Sequence, residues 1–152
     1  MERTFVAIKP DAVQRGLIGE ILQRFEKKGF KIVGLKFVQL DRETAEKHYA
    51  EHVGKPFYEK LVKFITSGPI VVMVVKGKNA VEVSRRMMGS TDPSKADVGT
   101  IRADFAQIME RNVIHGSDSK ESAEREIKIH FKDSELVSKW SRNIRGWILE
   151  PK

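Results

Sequence analysis

Apolar residues along this chain fall into short runs at strand period, separated by stretches at helical period. T-F-V-A-I-K at 4–9 is a short apolar run that ends at Pro10, which cannot donate to a sheet ladder, so a buried strand is predicted there. Ile18, Ile21, Leu22 and Phe25 recur at helical spacing, with Lys27 and Lys28 in the last turn and Gly29 as the stop, which predicts an amphipathic helix of roughly three turns. K-I-V-G-L-K-F-V at 31–38 sets Val33, Leu35 and Phe37 on one face at period two, a second strand. Residues 43–52 read as a short helix, and Tyr58, Leu61, Val62 and Ile65 mark another, closed by Ser67, Gly68 and Pro69. I-V-V-M-V-V at 70–75 is the third strand. Asn79 with Glu82 has capping-box spacing for a helix through Met88, and Asp118 with Glu121 repeats it before a helix holding Ala123 and Ile127. Between them Thr100 is placed to cap a helix holding Arg102 and Phe105, and N-V-I-H at 112–115 is the end of a fourth strand.

This alternation predicts an α/β fold, a ferredoxin-like sandwich in which helices pack on one face of a four-stranded, largely antiparallel sheet. No repeat, linker or low-complexity tract interrupts it, so residues 1–152 are expected to form a single domain. Such a fold names no function by itself.

Composition narrows the chemistry. The chain has no cysteine, which excludes disulfides, zinc ribbons and thiol catalysis. Its first apolar run, Phe5 to Ile8, is too short for a signal peptide, and the run at 70–75 is far below a membrane span, so a cytoplasmic location without membrane contact is expected. The net charge of +7 favours phosphate-bearing partners without choosing among them.

His115 leaves the apolar pair Val113–Ile114 and is followed at once by Gly116, Ser117, Asp118 and Ser119, a strand exit of the kind where reactive groups sit. Lys9, Arg85, Thr91 and Arg102 supply cations and a hydroxyl, Thr91 lying in the polar loop G-S-T-D-P-S-K-A-D-V-G-T at 89–100. Arginines grip phosphate oxygens through paired charge-assisted bonds, and together with an exposed histidine these residues describe a polyphosphate site. No glycine-rich phosphate loop, dinucleotide fingerprint or serine-nucleophile elbow is present. His48 to His52 matches H-x-x-E-H, a zinc-peptidase pattern, but no third ligand accompanies it, and its residues read as surface and site rim. Lys28 to Val33 half-matches an RNA-recognition signature, yet Lys31, Ile32 and Leu35 stand where bases would stack on rings. On residues alone two readings stay open: a phosphoryl-handling enzyme, and a ferredoxin-like nucleic-acid-binding module whose histidine is structural.

Five stretches taken in order are more specific: R-T-F-V-A-I-K-P-D at 3–11, Q-R-G-L-I-G-E-I at 14–21, S-G-P-I-V-V-M-V at 67–74, G-T-I-R-A-D-F at 99–105 and N-V-I-H-G-S-D-S at 112–119. Through them the chain resembles the nucleoside diphosphate kinase family over nearly its whole length. The resemblance implies a phosphotransferase that moves the γ-phosphoryl group of a nucleoside triphosphate to a diphosphate in ping-pong fashion, with His115 as the nucleophile. It implies that Lys9, Tyr49, Arg85, Thr91, Arg102 and Asn112 contact phosphates and ribose, and that the base stacks on Phe57. Glu126 would hold the far side of the imidazole, with Ser117 bridging to it. It also implies Mg2+ carried mainly by phosphates and water, with Asp118 as an outer partner and no dedicated protein cage, and a homo-oligomer, tetramer or hexamer. Nucleic acid is not implied as the primary partner. The chain departs from the family pattern at Val98 for proline, Ala103 for glycine and Met109 for valine, which bears on loop geometry and assembly. Trp140 and Trp147 are expected to anchor the C-terminal tail by packing.

Overall fold

The structure, a computed structural model, describes residues 1–150. Four strands, β1 (Glu2–Ile8), β2 (Lys31–Val38), β3 (Ile70–Gly77) and β4 (Ile114–Gly116), form one sheet in the order β2-β3-β1-β4. Every neighbouring pair is antiparallel, the ferredoxin-like arrangement expected from the alternation of elements. The helices are α1 (Pro10–Gln14), α2 (Ile18–Lys28), α3 (Arg42–His48), α4 (Tyr58–Ile65), α5 (Ala80–Met88), α6 (Ile101–Phe105), α7 (Lys120–His130) and α8 (Arg145–Ile148).

The helices do not keep to one face. Val6, Ile8, Val71, Met73 and Val75 pack with residues of α1, α2, α5 and α6 in one core, while Phe5, Ala7, Val72 and Val74 pack with residues of α3, α4 and α7 in another. Successive residues of a strand point to opposite faces, so an unbroken apolar run such as I-V-V-M-V-V belongs to a strand covered on both. The one-faced sandwich expected from the element order is corrected accordingly. A sheet covered on both faces also has no open platform on which RNA bases could stack, which removes the physical basis of the nucleic-acid reading.

Local signals set most element ends. Gly29 closes α2 in the left-handed region at φ 99°, a conformation that costs glycine little, and the Thr100 hydroxyl caps α6 by accepting from Ala103 N at 3.3 Å. Pro10 both stops β1 and opens α1, a short helix the apolar pattern does not announce. The predicted helix at 43–52 is two pieces, α3 capped by Asp41 and a 3-10 turn at Ala50–His52, so His48 and His52 do not share one regular helix. Neither capping box forms. Asn79 sits in the left-handed region with its side chain capping nothing, and the start of α5 is instead held by Glu2 Oε2, which accepts from Val81 N at 2.8 Å. At α7 the cap is Ser119, one residue after the expected Asp118, accepting from Ser122 N at 3.0 Å. In the tail, Trp140 donates its indole N–H to Ile32 O at 3.0 Å, but Trp147 is 91% exposed and is no packing anchor among the described residues. Among the described residues no helix is long and apolar enough to cross a membrane.

Candidate active site

The sheet order brings together residues far apart in sequence. β4 lies beside β1, so His115 pairs with Ala7, and Lys9, just past the end of β1, bonds through its backbone N–H to Val113 O at 2.9 Å. The approach to β4 is strained. Val113 has φ 65°, rare for a β-branched residue, and is held there by Asp11 Oδ2 accepting from its N–H at 3.1 Å. This sharp turn aims the residues after it, and at Gly116, which follows His115, an added Cβ would stand 2.4 Å from Met88 Cε, so the buried methionine would have to shift.

The His115 side chain is a quarter exposed, at 25%, and lines a cavity of about 240 Å³. Its Nε2 is bonded to Glu126 Oε1 from α7. An ionised carboxylate can only accept, so Nε2 carries the hydrogen and Nδ1 keeps a bare lone pair. Burial lowers the His115 pKa to about 3, helped by the nearby charges of Lys9, Arg102 and Arg85 and opposed by Asp118, which keeps the ring neutral and nucleophilic at neutral pH. Burial raises the pKa of Glu126, while His48, Arg125 and Ser117 pull it back toward the ionised form.

The cations surround this ring. Arg85, in the last turn of α5, donates to Gly116 O at 2.9 Å. Arg102 in α6 is 4% exposed and donates to Gly89 O at 2.9 Å, Ile114 O at 2.7 Å and Asn112 O at 3.3 Å, so much of its guanidinium clamps the long loop to β4. Burial, and then Arg85, lower its pKa to about 10. Lys9 Nζ donates to Asn112 Oδ1 at 2.7 Å, and burial together with Arg102 brings its pKa down to about 8, with Asp11 opposing. Asn112 in turn donates to Thr91 O at 3.1 Å. Tyr49 also lines the cavity, its hydroxyl kept protonated because burial, and then Glu126, raise its pKa.

Lys9, Tyr49, Arg85, Thr91, Arg102, Asn112, His115 and Glu126 therefore meet at one cavity, which Asp118 also lines. Two expected members stand apart. Phe57 lies outside the lining, 45% exposed, with its ring 5.3 Å from that of His52. Ser117 is buried next to the histidine, outside the lining; it favours the ionised form of Glu126, although its Oγ makes no hydrogen bond of good geometry. Sequence reasoning missed Asp11, and it misjudged His48, which is not a rim residue but a buried one with its ring 4.7 Å from that of His115. His48, His115 and Glu126 offer one ligand atom each within 4.8 Å of one another, but the Glu126 oxygen is already committed to His115 and no cysteine supports the set, so they are read as a hydrogen-bonding group.

The family model for nucleoside diphosphate kinase matches residues 2–136. The chain belongs to the nucleoside diphosphate kinase family. It is 62% identical to the nucleoside diphosphate kinase of Heliobacterium modesticaldum over 150 residues, 99% of this chain and 100% of the relative. It is likewise 62% identical to that of Methanocaldococcus jannaschii over 138 residues, 91% of this chain and 99% of the relative. A solved halophilic nucleoside diphosphate kinase from Halobacterium salinarum, in complex with CDP, superposes with a TM-score of 0.95 at 52% identity, covering 98% of this chain and 99% of that one. A family member from Babesia bovis has the same TM-score at 44% identity, covering 98% and 100%. Val98 and Met109 are exposed, and Ala103 lies in α6.

Proposed function

We propose that this chain transfers the γ-phosphoryl group of a nucleoside triphosphate to a nucleoside diphosphate through a phosphohistidine at His115. The observation that carries the reading is the neutral His115 ring, tied at Nε2 to Glu126 and ringed by Lys9, Arg85 and Arg102. The bare Nδ1 attacks the γ-phosphorus, the N–P bond forms as the bond to the β–γ bridging oxygen breaks, and the diphosphate leaves. A second diphosphate then attacks the phosphohistidine with its terminal oxygen and departs as the triphosphate, returning the electron pair to Nδ1. One difficult transfer between anions becomes two easier ones.

The residues divide the work. Lys9, Arg85 and Arg102 stabilise the charge spreading over the phosphoryl oxygens, and Tyr49, Thr91 and Asn112 position phosphates and ribose by hydrogen bonds. Glu126 holds the ring's tautomer, and Ser117, buried beside it, supports the carboxylate in its ionised form. A space of about 240 Å³ suits the phosphate end of a nucleotide and not the whole of it, which supports a base seated outside, against the exposed Phe57.

A divalent cation, Mg2+ in our reading, would neutralise the β- and γ-oxygens; Asp118, on the cavity wall, is the residue to hold it through water. The second half of the β2 edge, beyond the part held by Val137 and Trp140 and with Leu35 and Phe37 exposed, supports a homo-oligomer, tetramer or hexamer. The chain acts as one domain over 1–152, and the lack of cysteine supports work in the cytoplasm.

The test is incubation with Mg2+ and ATP, an alkaline quench and mass spectrometry of the phosphorylated peptide. The expected adduct is on His115, and the His115→Gln variant is expected to lose both adduct and transfer. Transfer by the unaltered chain with no adduct at His115 refutes the proposal.

A further inference from the structure

A second histidine pair lies behind the site: His48, the last residue of α3, and His130, the last residue of α7, both buried. His48 Nδ1 and His130 Nε2 are 3.0 Å apart. His130 falls four residues after Glu126, one helical turn along the same buried face of α7. Its ring stacks on Phe5 with centroids 4.5 Å apart and planes at 15°, so both its height and its direction are fixed. The other nitrogen of His48, Nε2, faces Glu126 Oε1 at 3.8 Å, and that is the oxygen that takes His115 Nε2. His130, His48, Glu126 and His115 thus form one contiguous string.

Burial keeps both rings of the pair neutral. The His48 pKa lies well below its usual value through burial and the neighbouring His115, His130 and Arg125, against the pull of Glu126, and that of His130 is lowered to about 3 by burial, His115 and Lys36. Two neutral imidazoles can share only one proton along their bond. If His48 Nδ1 carried it, His48 Nε2 would turn a lone pair on Glu126 Oε1, two acceptors facing each other in a buried place. If His130 Nε2 carries it, His48 accepts at Nδ1 and presents Nε2–H toward the carboxylate.

We propose that His130 is a positioning residue for the transfer: its Nε2–H donates to His48 Nδ1, fixing His48 with Nε2–H toward Glu126 and so holding the carboxylate that orients His115. The proposal rests on the reading of His115 as nucleophile. His48 is the intermediary. Its N–H adds a favourable dipole on the oxygen that sets the nucleophile's tautomer, and His130 is what prevents His48 from turning that dipole around.

The test is NMR of the full chain labelled with 15N-histidine, reading two-bond nitrogen–proton couplings near neutral pH. The expected pattern has His48, His115 and His130 each protonated on Nε2 and bare on Nδ1. In His130→Phe, which keeps a ring against Phe5 but has no donor, His48 is expected to populate both tautomers, and kcat is expected to fall by about fivefold with KM nearly unchanged. His130→Gln, whose amide N–H takes the place of Nε2–H, is expected to recover most of kcat. A wild-type His48 protonated on Nδ1 overturns the proposal whatever the variants do, and so does a folded His130→Phe with wild-type kcat. Should that variant fail to fold, the wild-type tautomers decide. Failure of the nucleophile reading is distinguishable, since it appears as a missing phosphohistidine at His115 and leaves the tautomer pattern as measured.

Discussion

Lys9 Nζ and Asn112 Oδ1 are 2.7 Å apart, a bond that joins the residue just past β1 to the residue that leads into β4. The ammonium is thereby held in the cavity beside His115, where its charge ranks next after burial among the causes that keep the imidazole neutral. Removing the cation is therefore expected to raise the His115 pKa. In Lys9→Gln, the NMR titration of His115 is expected to move up from about 3 toward 6.5, while kcat falls by about 10- to 100-fold, since transition-state charge loses a partner. An unmoved titration would show that Lys9 does not set the ring's charge state.

Arg102 has a structural task that a phosphate contact alone would not require. It binds carbonyls of Gly89, Asn112 and Ile114 from a buried position, so Arg102→Ala takes this donor from the Gly89 and Ile114 carbonyls and leaves the loop at 89–100 unclamped, while Asn112 O keeps Ile114 N at 2.8 Å. A loss of about 2–4 kcal/mol in urea denaturation is expected. Arg102→Lys is expected to recover little of it, because a lysine cannot reproduce the planar fork that reaches separate carbonyls. Full stability of either variant would refute the clamp.

The fold was legible where apolar runs are long enough to state a period. β1, β3 and α2 fall where the run at 4–9, the run at 70–75 and the stripe Ile18–Phe25 put them. The caps of α5 and α7 were not. Spacing looks only a few residues along the chain, whereas the group that holds Val81 N is Glu2, 79 positions away, and at α7 the spacing to Glu121 favours Asp118 while the backbone turns helical only after Ser119. The phosphate cations were legible as residue types with a common chemistry. The contact of Glu126 with His115 came only through family resemblance, because it depends on the rotational phase of α7 against β4. His130 gave no local signal, being one polar residue on a helix whose buried face also holds Glu126.

The base is expected to contribute binding and little else. Phe57 lies at the open rim beside His52, outside the cavity that holds the reacting groups. A base stacked there, as proposed, would be bound equally in the ground and transition states. Phe57→Ala is therefore expected to raise KM by about 5- to 50-fold with kcat nearly constant, and by similar factors for purine and pyrimidine nucleotides, since every base offers a π-face. Steady-state kinetics with four diphosphates checks this, and a loss confined to one base would show that the rim reads base edges instead.

Acid is expected to destabilise the chain through its buried imidazoles. An unfolded histidine takes up a proton near pH 6.5. In the folded chain His115 and His130 resist protonation down to about 3, and His48 titrates well below its usual value. Between these limits the unfolded state binds more protons than the folded one, so unfolding free energy rises with pH across the window. The stabilising contribution of these groups is fully present above pH 6.5 and is lost progressively as pH falls toward 3. Lys9 has a depressed pKa too, so its linkage has the same sign in a higher window: from about 8 up to 10.5, stability rises as the folded state gives up the Lys9 proton first. That same deprotonation removes a cation from the phosphate cavity, so kcat/KM is expected to fall through about 8 while the fold grows more stable. Urea denaturation and kinetics at matched pH values separate the two. Activity and stability declining together above pH 8 would show that the alkaline limb is unfolding and not loss of the Lys9 charge.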